Sequence, residues 1–335
     1  MALRYPAEWE KQKTIWLSFP HNSSEWQQVE TENPLEGIRA FYRELVEMIL
    51  DYQEVSLIFA TKDLQASQEA WLQSLQAKEF KVNALVMENN DIWIRDYGPF
   101  FVLENNETKI LDFKFNAWGE KFPPWDLDNQ IPLKISERFG YQRQVFDWVL
   151  EGGALEFNGV DTILTTKQCL LNQNRNPKMS QQDIENALKQ AFNIKKVVWL
   201  ERGLEGDHTD GHIDDFARFI NPNKILLCKC NDEANPNYQH LLDSKKTLEN
   251  LGYELDFLPM PKSMKREGEY LPASYANFIF LNGAVLIPSF NCPQDKEAQE
   301  IFARNFPDRK ILSIDSSLLI QEGGGLHCMT KQEPC

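Results

Sequence analysis

The chain repeats one pattern of predicted secondary structure, and this repetition limits its fold more than any other feature. Four stretches each predict two short strands joined by a tight turn: YGPFFVLENNETKILDFKF, GGALEFNGVDTILTTKQCL, DDFARFINPNKILLCKC and YANFIFLNGAVLIPSF. Their centres carry Asn-Asn, Asn-Gly or Asn-Pro-Asn, residue types that tolerate the dihedral angles of turns. The unit recurs roughly every 60 residues, a period that is typical of repeat architectures.

A helix and a third strand are predicted after most of these hairpins. Helical patterns occupy Gln181–Phe192 and residues 238–252, and short strands follow at 195–200 and 253–259. A fifth unit closes if the C-terminal QEGGGLHCM pairs with the N-terminal TIWLSFP, which precedes a predicted helix at 34–52. The pattern predicts about five quasi-repeats of strand, strand, helix and strand.

The repeats predict one α/β catalytic domain over residues 1–335, arranged around a central axis, because no linker or low-complexity segment divides the chain. If each hairpin begins at that axis, the residues at the hairpin starts meet there. Polar groups where apolar strands converge are costly unless they have a partner or a purpose. The candidates for a shared site are therefore Asp96, Glu151, His212, Asp214, Asn277 and Cys328.

The net charge of the chain limits the kinds of molecule that it can be expected to bind. The formal net charge is −15, so the surface repels phosphate backbones and nucleic acid is not expected as a partner. The same charge attracts small cations, although it also serves solubility alone. The N-terminus lacks a basic flank and a long apolar run, and no apolar stretch approaches the roughly 20 residues that span a bilayer. We expect a cytoplasmic protein without a membrane partner.

Six scattered cysteines do not follow the spacing of a disulfide scaffold. Cys169 and Cys228 lie in apolar, strand-like stretches and are interpreted as buried fillers, whereas Cys335 is expected to be a solvent-exposed thiol. Cys328 differs because it follows three glycines, Leu326 and His327, so a flexible backbone delivers the thiol beside a titratable ring. It is either a nucleophile, which needs a nearby cation or donor to form a thiolate, or an inert buried thiol.

The segment EGDHTDGHIDD concentrates two histidines and five carboxylates. His208 and His212 are four residues apart, a spacing that binds zinc on a helix, but the flanking glycines and aspartates disfavour a helix. The alternative places His212 and Asp214 at the entry to a strand, where residues two apart point to the same face. A histidine among carboxylates suits proton transfer near neutral pH. A plain surface loop remains the third interpretation.

Two aromatic segments offer further candidates. NDIWIRDYGP sets Asp91, Trp93, Arg95 and Asp96 around a bend, where a carboxylate can accept N–H groups from a planar cation and an indole can face it. The alternative is an Arg95–Asp96 turn with a core tryptophan. FNAWGEKFPPWD, which contains Trp118, is rich in aromatic residues and proline and is typical of loops that cover a pocket.

These segments together resemble a known family. NDIWIRDYGP, FNAWG, LEGGALE, LLNQNRNP, GDHTDGHIDDFARF and GGGLHCMTKQEP are similar, in order and over nearly the whole chain, to agmatine deiminases and bacterial, Porphyromonas-type peptidylarginine deiminases. The resemblance implies the family's fold, a five-bladed, pseudo-symmetric α/β-propeller (pentein) of guanidino-group modifying enzymes. It also implies a hydrolase that acts on linear amidines without a metal or organic cofactor.

The resemblance also implies roles for individual residues. Cys328 matches the nucleophile, His212 the general acid and base, and Glu151 the residue that hydrogen-bonds His212. Asp96 and Asp214 match the two ligands of the substrate guanidinium. The implied reaction is attack of the Cys328 thiolate on the guanidinium carbon, release of ammonia and hydrolysis of a covalent thiouronium intermediate.

The resemblance does not by itself identify the substrate. Trp93, Trp118 and Gly324 are further predicted substrate contacts. Agmatine suits an acidic protein and is the expected substrate, with N-carbamoylputrescine as product and polyamine (putrescine) biosynthesis as the setting. The tail GGGLHC is one residue shorter than the GGG-N-I-H-C form of agmatine-specific members.

Rival functions remain open at this stage. A peptidylarginine or free-arginine deiminase needs a basic residue at the pocket mouth, for which Arg175 and Arg218 are the candidates. A zinc hydrolase would use His208 and His212, and a polyamine-binding protein would bind agmatine without turnover. A homodimer is expected, although the sequence carries no direct signal for it.

Overall fold

Small β-sheets, each with two to four strands, organise residues 3–21 and 32–335, which the computed structural model describes. The first half contains β1 (Gln12–Ser18), α1 (Pro34–Ile49), β2 (Glu54–Phe59), α2 (Lys62–Ser67), α3 (Glu69–Ser74), β3 (Val82–Val86), α4 (Ile94–Tyr97), β4 (Phe100–Glu104), β5 (Glu107–Lys114), α5 (Ala117–Glu120), α6 (Ile131–Phe139) and β6 (Gln142–Val149). The second half contains β7 (Glu156–Phe157), β8 (Thr162–Thr166), α7 (Lys167–Leu170), α8 (Gln181–Phe192), β9 (Lys196–Leu200), β10 (Ala217–Asn221), β11 (Lys224–Lys229), α9 (Tyr238–Asn250), β12 (Glu254–Pro259), β13 (Lys265–Arg266), β14 (Glu269–Tyr270), β15 (Ile279–Leu281), β16 (Ala284–Ser289), α10 (Gln294–Asn305), β17 (Lys310–Asp315) and β18 (Lys331–Pro334). The fold is mixed α/β, as predicted.

Four of the sheets share one connection. In β4-β5-β6, β7-β8-β9, β10-β11-β12 and β15-β16-β17, an antiparallel hairpin is followed by a helix and by a third strand parallel to the second. The four predicted hairpins are thus confirmed, together with the helices and strands that were predicted after the second and third of them. Strands β13 and β14 form a separate two-stranded sheet. The arrangement of the sheets around a common axis stays a prediction.

Turn and cap residues explain where these elements begin and end. Asn105 and Asn106 between β4 and β5 have φ of 55° and 66°, the left-handed conformation that tight hairpin turns require. Helix α8 starts with a capping box, in which Ser180 and Asp183 each accept a hydrogen bond from the backbone N–H of the other. It ends at Asn193, which has φ of 53°. The bounds of α8 match the predicted Gln181–Phe192.

The sheet that joins the two ends of the chain corrects the sequence prediction. Strand β1 pairs antiparallel with β18 and parallel with β2, and β3 adds a fourth strand. The predicted partner of β1, Gln321–Met329, is wrong, because the three glycines of that segment lie in a loop and pairing begins only at Lys331. Cys328 therefore precedes the closing strand by three residues and lies in the loop before it.

Apolar faces of the helices and sheets form the core. Helix α1 buries Leu45 and Ile49 against strands that bury Ile15 and Leu57. Each such side chain stabilises the fold by about 1.5–3 kcal/mol relative to exposure to water. Within the described residues, none of the helices combines the length and the apolar character needed to cross a membrane.

Candidate active site

A cavity of about 550 Å³ opens above the loop that carries Cys328. Its floor includes Trp93, Asp96, Gly324 and Cys328, and its walls are largely aromatic, with contributions from Phe115, Trp118, Phe122 and Trp125. Carboxylates outnumber basic groups in the lining, since Asp91, Asp96, Asp128, Asp215 and Glu322 face it together with Lys121 and Arg266. The cavity therefore favours a ligand with a flat, cationic group.

The polar residues predicted at the hairpin starts do meet beside this cavity. A methyl group built on Gly153 would lie 2.5 Å from His212 Nδ1 and 3.0 Å from both Asp214 Oδ2 and Asp96 Oδ1. Gly153 is therefore required where these three side chains approach the backbone. Glu151, two residues earlier, lies behind His212, with its Oε2 3.6 Å from His212 Nε2. The structure brings all five predicted catalytic residues together, and their roles stay predictions.

Asp96 is held at the cavity floor by two donors. Its Oδ1 accepts the Gly153 backbone N–H at 2.8 Å, and its Oδ2 accepts the Trp118 indole N–H at 2.9 Å. Burial raises the pKa of Asp96, although the nearby His212 acts in the opposite direction. Trp118 reaches this carboxylate from a strained backbone, with φ of 56° in α5. The predicted contacts Asp96 and Trp118 are thus coupled, and both line the cavity.

Asp214 is oriented by two residues that sequence analysis did not assign. His327 Nδ1 lies 2.6 Å from Asp214 Oδ2, and His327 Nε2 lies 2.9 Å from Glu8 Oε1. The other Asp214 oxygen, Oδ1, is buried without a hydrogen-bond partner among the described residues. Hydrogen bonding to His327 overcomes the effect of burial and lowers the pKa of Asp214. One carboxylate oxygen is therefore anchored, and the other is left free for a ligand.

The charge of His327 follows from its two contacts. Burial and the nearby Arg218 and Arg95 guanidinium groups lower the pKa of His327. A neutral ring, however, would turn one lone pair towards a carboxylate at hydrogen-bonding distance. The contacts to Asp214 and Glu8 require a proton on each ring nitrogen, so we assign an imidazolium between them. The His-Cys dipeptide was the only sequence signal for this role, and Glu8 had none.

His212 occupies a buried and unusually polar position. Neither ring nitrogen has a hydrogen-bond partner among the described residues, while Asp96 Oδ1 lies 3.8 Å from Nδ1. Burial opposes the imidazolium, but Asp96, Cys169 and Glu151 outweigh it and raise the pKa of His212 well above its usual value. The expected hydrogen bond from His212 Nε2 to Glu151 is not formed, since Oε2 lies 3.6 Å away, while Glu151 Oε1 accepts from Arg175 Nε at 2.6 Å.

The backbone around His212 differs from the prediction. Residues Ile213–Asp215 form a 3-10 turn, so His212 and Asp214 do not lie on a strand. The reason is Asp207, whose Oδ2 accepts the backbone N–H groups of Gly211 and His212 at 2.9 and 2.7 Å. Capping by a side chain replaces strand pairing here, and both predicted side chains still reach the same site.

Cys328 is nearly inaccessible and faces carboxylates. The residue is only 7% exposed, and the Asn277 side-chain N–H donates to its sulfur at 3.3 Å. Burial and the neighbouring Asp214, Asp215 and Asp96 raise the pKa of the Cys328 thiol well above its usual value. The thiol is therefore neutral in the unliganded site, and a bound cation would favour its thiolate.

Trp93 and Gly324 meet at the cavity floor. A methyl group on Gly324 would lie 2.4 Å from Trp93 Cζ3, so only glycine lets the backbone approach the indole this closely. Both residues line the cavity, as predicted for substrate contacts.

Arg175 and Arg218 are wrongly placed for the carboxylate-binding role that was considered for them. Both side chains are fully buried, Arg175 against Glu151 and Asp210 and Arg218 against Glu8 and Glu156. Neither lines the cavity. Because buried carboxylates neutralise both guanidinium groups, neither arginine is available to bind a substrate carboxylate.

The proposed zinc pair is also wrong in its geometry. Among the described residues, the donor groups that cluster within 4.8 Å are Glu151, Cys169 and His212 in one set and Asp214, Asp215 and Cys328 in the other. His208 belongs to neither, and it packs instead near the Phe122 ring, with 6.0 Å between ring centroids.

The other cysteines divide as follows. Cys228 lies buried on β11, and Cys335 is exposed, as predicted. Cys169 is buried too, but on α7 rather than on a strand, and its thiol contacts Glu151 Oε2 at 3.7 Å. Cys169 belongs to an apolar core cluster with Ile163 and Leu170, which confirms that it is a buried filler, although its thiol also meets a carboxylate.

Known proteins share this fold and this sequence pattern. A family model described as Porphyromonas-type peptidyl-arginine deiminase matches residues 4–334. The agmatine deiminase of Pseudomonas putida KT2440 is 32% identical over 98% of this chain and 95% of its own length. A structure of C. jejuni agmatine deiminase, a cysteine-to-serine variant with substrate bound, is 34% identical and superposes with a TM-score of 0.89 over 99% of this chain and 96% of that one. The agmatine deiminase of Enterococcus faecalis is 29% identical, with a TM-score of 0.90 over 99% and 96% of the two chains.

Proposed function

The chain belongs to the Porphyromonas-type peptidyl-arginine deiminase family, and from this we propose that it is an agmatine deiminase, a hydrolase that converts agmatine to N-carbamoylputrescine and ammonia. The observation that carries the proposal is a pair of buried carboxylates near the Cys328 thiol. Asp96 lines the floor of the acidic, aromatic cavity with Cys328, and Asp214 Oδ2 lies 4.0 Å from the Cys328 sulfur. The relatives that support agmatine are similar along nearly their whole length.

Binding of the guanidinium is the first step of the proposed mechanism. Asp96 and Asp214 would accept its N–H groups, as charge-assisted hydrogen bonds fix a planar cation in one orientation. The free Oδ1 of Asp214 supports this role, because a buried carboxylate oxygen without a donor is costly until a ligand supplies one. Trp93, Trp118 and Gly324 would hold the flat group and the methylene chain against the cavity floor.

Bond formation follows in the bound complex. The guanidinium charge favours loss of the Cys328 thiol proton to solvent, and the thiolate sulfur then attacks the central carbon and forms a C–S bond. His212 protonates the departing nitrogen, the C–N bond breaks, and ammonia leaves. A water molecule, deprotonated by His212, then attacks the thiouronium carbon, and cleavage of the C–S bond returns the Cys328 thiol and the ureido product. Glu151, held by Arg175, would keep the charge of His212 balanced through both steps.

The arrangement of the sheets, the location of the protein and its oligomeric state are further proposals. We propose that the small sheets form the five blades of a pentein propeller in a single catalytic domain, which the shared strand-strand-helix-strand connection supports. A cytoplasmic location, a homodimer and a role in polyamine biosynthesis are proposed with it, without a nucleic-acid or membrane partner.

The substrate prediction is tested by ammonia release from agmatine, free arginine and a short arginine peptide. We expect agmatine to have a kcat/KM at least about 10²-fold higher than the others, because acidic groups in the cavity would repel the carboxylate of arginine. Comparable turnover of arginine or of the peptide would keep the deiminase chemistry and overturn agmatine as substrate. Tight agmatine binding without ammonia would instead indicate the polyamine-binding alternative.

The pH dependence of KM should reveal one residue that contacts the distal amine. Burial raises the pKa of Glu322 to about 7, and its Oε1 has no hydrogen-bond partner among the described residues, with Arg266 3.9 Å away. Glu322 is therefore ionised above pH 7 and neutral below it. We expect the KM for agmatine to rise about 3- to 10-fold as the pH falls through 7, equivalent to about 0.7–1.4 kcal/mol.

Glu322→Gln supplies the control for this prediction. The variant should have the high KM at every pH and should lose the step near pH 7, while kcat changes little. A step that persists in Glu322→Gln would contradict the assignment of the titration to this residue.

A further inference from the structure

Behind His212, on the side away from Asp96, lies a second cluster, in which two residues of the proposed reaction meet a thiol that the reaction does not use. It consists of Glu151, Cys169 and His212, whose ligand atoms all lie within 4.8 Å of one another and whose residues are fully buried. Glu151 Oε2 lies 3.6 Å from His212 Nε2 and 3.7 Å from Cys169 Sγ.

These separations suit a tetrahedral metal ion. Zinc binds nitrogen and carboxylate oxygen at about 2.0–2.2 Å and thiolate sulfur at about 2.3 Å, so tetrahedral ligand atoms are about 3.3–3.8 Å apart. The two separations from Glu151 Oε2, to His212 Nε2 and to Cys169 Sγ, fall in this range. The cluster offers one nitrogen, one sulfur and one oxygen, with the fourth position left for water. Soft and borderline cations prefer this mixed set over the carboxylates that dominate the rest of the cavity.

Two independent observations indicate that the ligand atoms are available. Neither nitrogen of the fully buried His212 has a hydrogen-bond partner among the described residues, so Nε2 is free to coordinate. Arg175 Nε binds Glu151 Oε1 at 2.6 Å and leaves Oε2 turned towards the cluster. An outer partner that orients a carboxylate in this way is typical of metal sites.

The alternative cluster is less suited. In the set formed by Asp214, Asp215 and Cys328, Asp214 Oδ2 is already engaged by His327 and Asp215 Oδ1 by the Asn277 amide. Coordination there would break two buried hydrogen bonds, at a cost of about 1–3 kcal/mol for each group left unsatisfied. Coordination at Glu151, Cys169 and His212 displaces protons from the thiol and the imidazole and breaks one weak hydrogen bond, from the Cys169 thiol to Glu151 Oε2, whose two partners both become ligands.

We propose that Glu151, Cys169 and His212 form a binding site for a zinc-class divalent cation, and that an ion held there inhibits the enzyme. Inhibition follows because coordination through Nε2 fixes the ring and leaves it a single proton, on Nδ1. Giving that proton to the leaving nitrogen would leave an imidazolate, so His212 could no longer act as the acid. The binding rests on the geometry alone, whereas the inhibition rests on the proposed role of His212. Entry from the cavity requires movement of the His212 ring, which breaks no hydrogen bond to a described residue.

Cadmium binding to the full chain tests the site without reference to activity. The background is Cys328→Ser, which removes the sulfur of the alternative cluster, and the signal is the ultraviolet thiolate-to-cadmium charge-transfer absorption. We expect one equivalent of Cd²⁺ to bind with this absorption. A further Cys169→Ser change should weaken binding by at least about 10-fold and remove the absorption, whereas Cys228→Ser, a matched change at another buried cysteine, should leave both intact.

The possible results distinguish binding at the proposed site from binding at other cysteines and from loss of the fold. Absorption that persists in the Cys169→Ser protein would assign the metal to the remaining cysteines and overturn the proposal, as would the absence of cadmium binding in the background protein. Circular dichroism of each variant establishes that the fold is retained.

Zinc inhibition of the otherwise native chain completes the test. We expect chelator-reversible loss of ammonia release, with at least about 10-fold more zinc needed after Cys169→Ser than after Cys228→Ser. Cadmium binding without inhibition would keep the site and overturn its effect on turnover. A chain that releases no ammonia from any guanidine would refute the proposed function and leave the cadmium result standing.

Discussion

Replacement of Cys328 by serine is expected to lower kcat for ammonia release by roughly 10⁴-fold or more, the order of loss seen when a covalent nucleophile is removed. A serine hydroxyl is a far weaker acid than a thiol, and the carboxylates that already oppose ionisation of the Cys328 thiol would oppose ionisation of the hydroxyl too. Agmatine should still bind, because Asp96, Asp214 and the aromatic walls are unchanged. The measurement is single-turnover ammonia release together with calorimetric binding of agmatine.

Two serine variants control for the loss of a thiol as such. Cys228→Ser changes a buried cysteine on β11, and Cys335→Ser changes an exposed one. Both should keep turnover within about 3-fold, since surface and remote substitutions have small effects. Mass spectrometry of the native chain, quenched during turnover, should detect the covalent adduct on Cys328. Full activity of Cys328→Ser would eliminate the covalent mechanism.

The second large effect concerns stability. Arg218→Met is expected to lower the free energy of unfolding by about 3–5 kcal/mol, because removing one partner of a buried ion pair leaves uncompensated charge. Arg218 is fully buried, with its Nε 2.8 Å from Glu156 Oε2 and its Nη2 2.7 Å from Glu8 Oε2. It also donates to the backbone carbonyls of Ala276 and Phe278. Urea is the suitable denaturant, because guanidinium resembles the proposed substrate.

Matched variants separate burial from charge. Arg304→Met removes a pair with Asp256 in which the arginine side chain is 60% exposed, and we expect a loss below about 1 kcal/mol. The double variant Arg218→Met with Glu156→Gln should recover part of the loss, because burial already raises the pKa of Glu156 to about 8. If Arg218→Met left stability intact and changed the preference between agmatine and arginine, Arg218 would be the substrate ligand that sequence analysis considered.

Local signals in the sequence predicted much of the fold. Turn residues such as Asn105 and Asn106 located a hairpin, and the helical pattern over Gln181–Phe192 located α8, whose ends the structure shows to be capped by Ser180 and Asn193. These features depend on neighbouring residues, which is why they can be read from one sequence. The closing strand was missed, because glycine-rich Gln321–Met329 appeared to complete the repeat and β18 has only four residues.

The sequence predicted which residues form the candidate site, but not which hydrogen bonds and ion pairs orient them. Hairpin starts brought Asp96, His212 and Cys328 together, as the repeat implied. The partners that orient the site could not be found in this way, because His327 and Glu8 are 319 residues apart and only the folded chain joins them. The contact of the buried Cys169 thiol with Glu151 was missed for the same reason, since the apolar residues around Cys169 in sequence indicate burial and not this partner.

The pairing of β1 with β18 also has a consequence for the nascent chain. Trp16 on β1 donates its indole N–H to Glu333 on β18, a partner 317 residues away. At typical elongation rates of about 5–20 residues per second, β1 waits on the order of tens of seconds for that partner to leave the ribosome. During this interval one edge of a buried, largely apolar strand is unpaired, and such edges recruit other chains. Chaperone occupancy of β1 during translation therefore bears directly on the yield of active protein, since the same late segment also delivers Cys328.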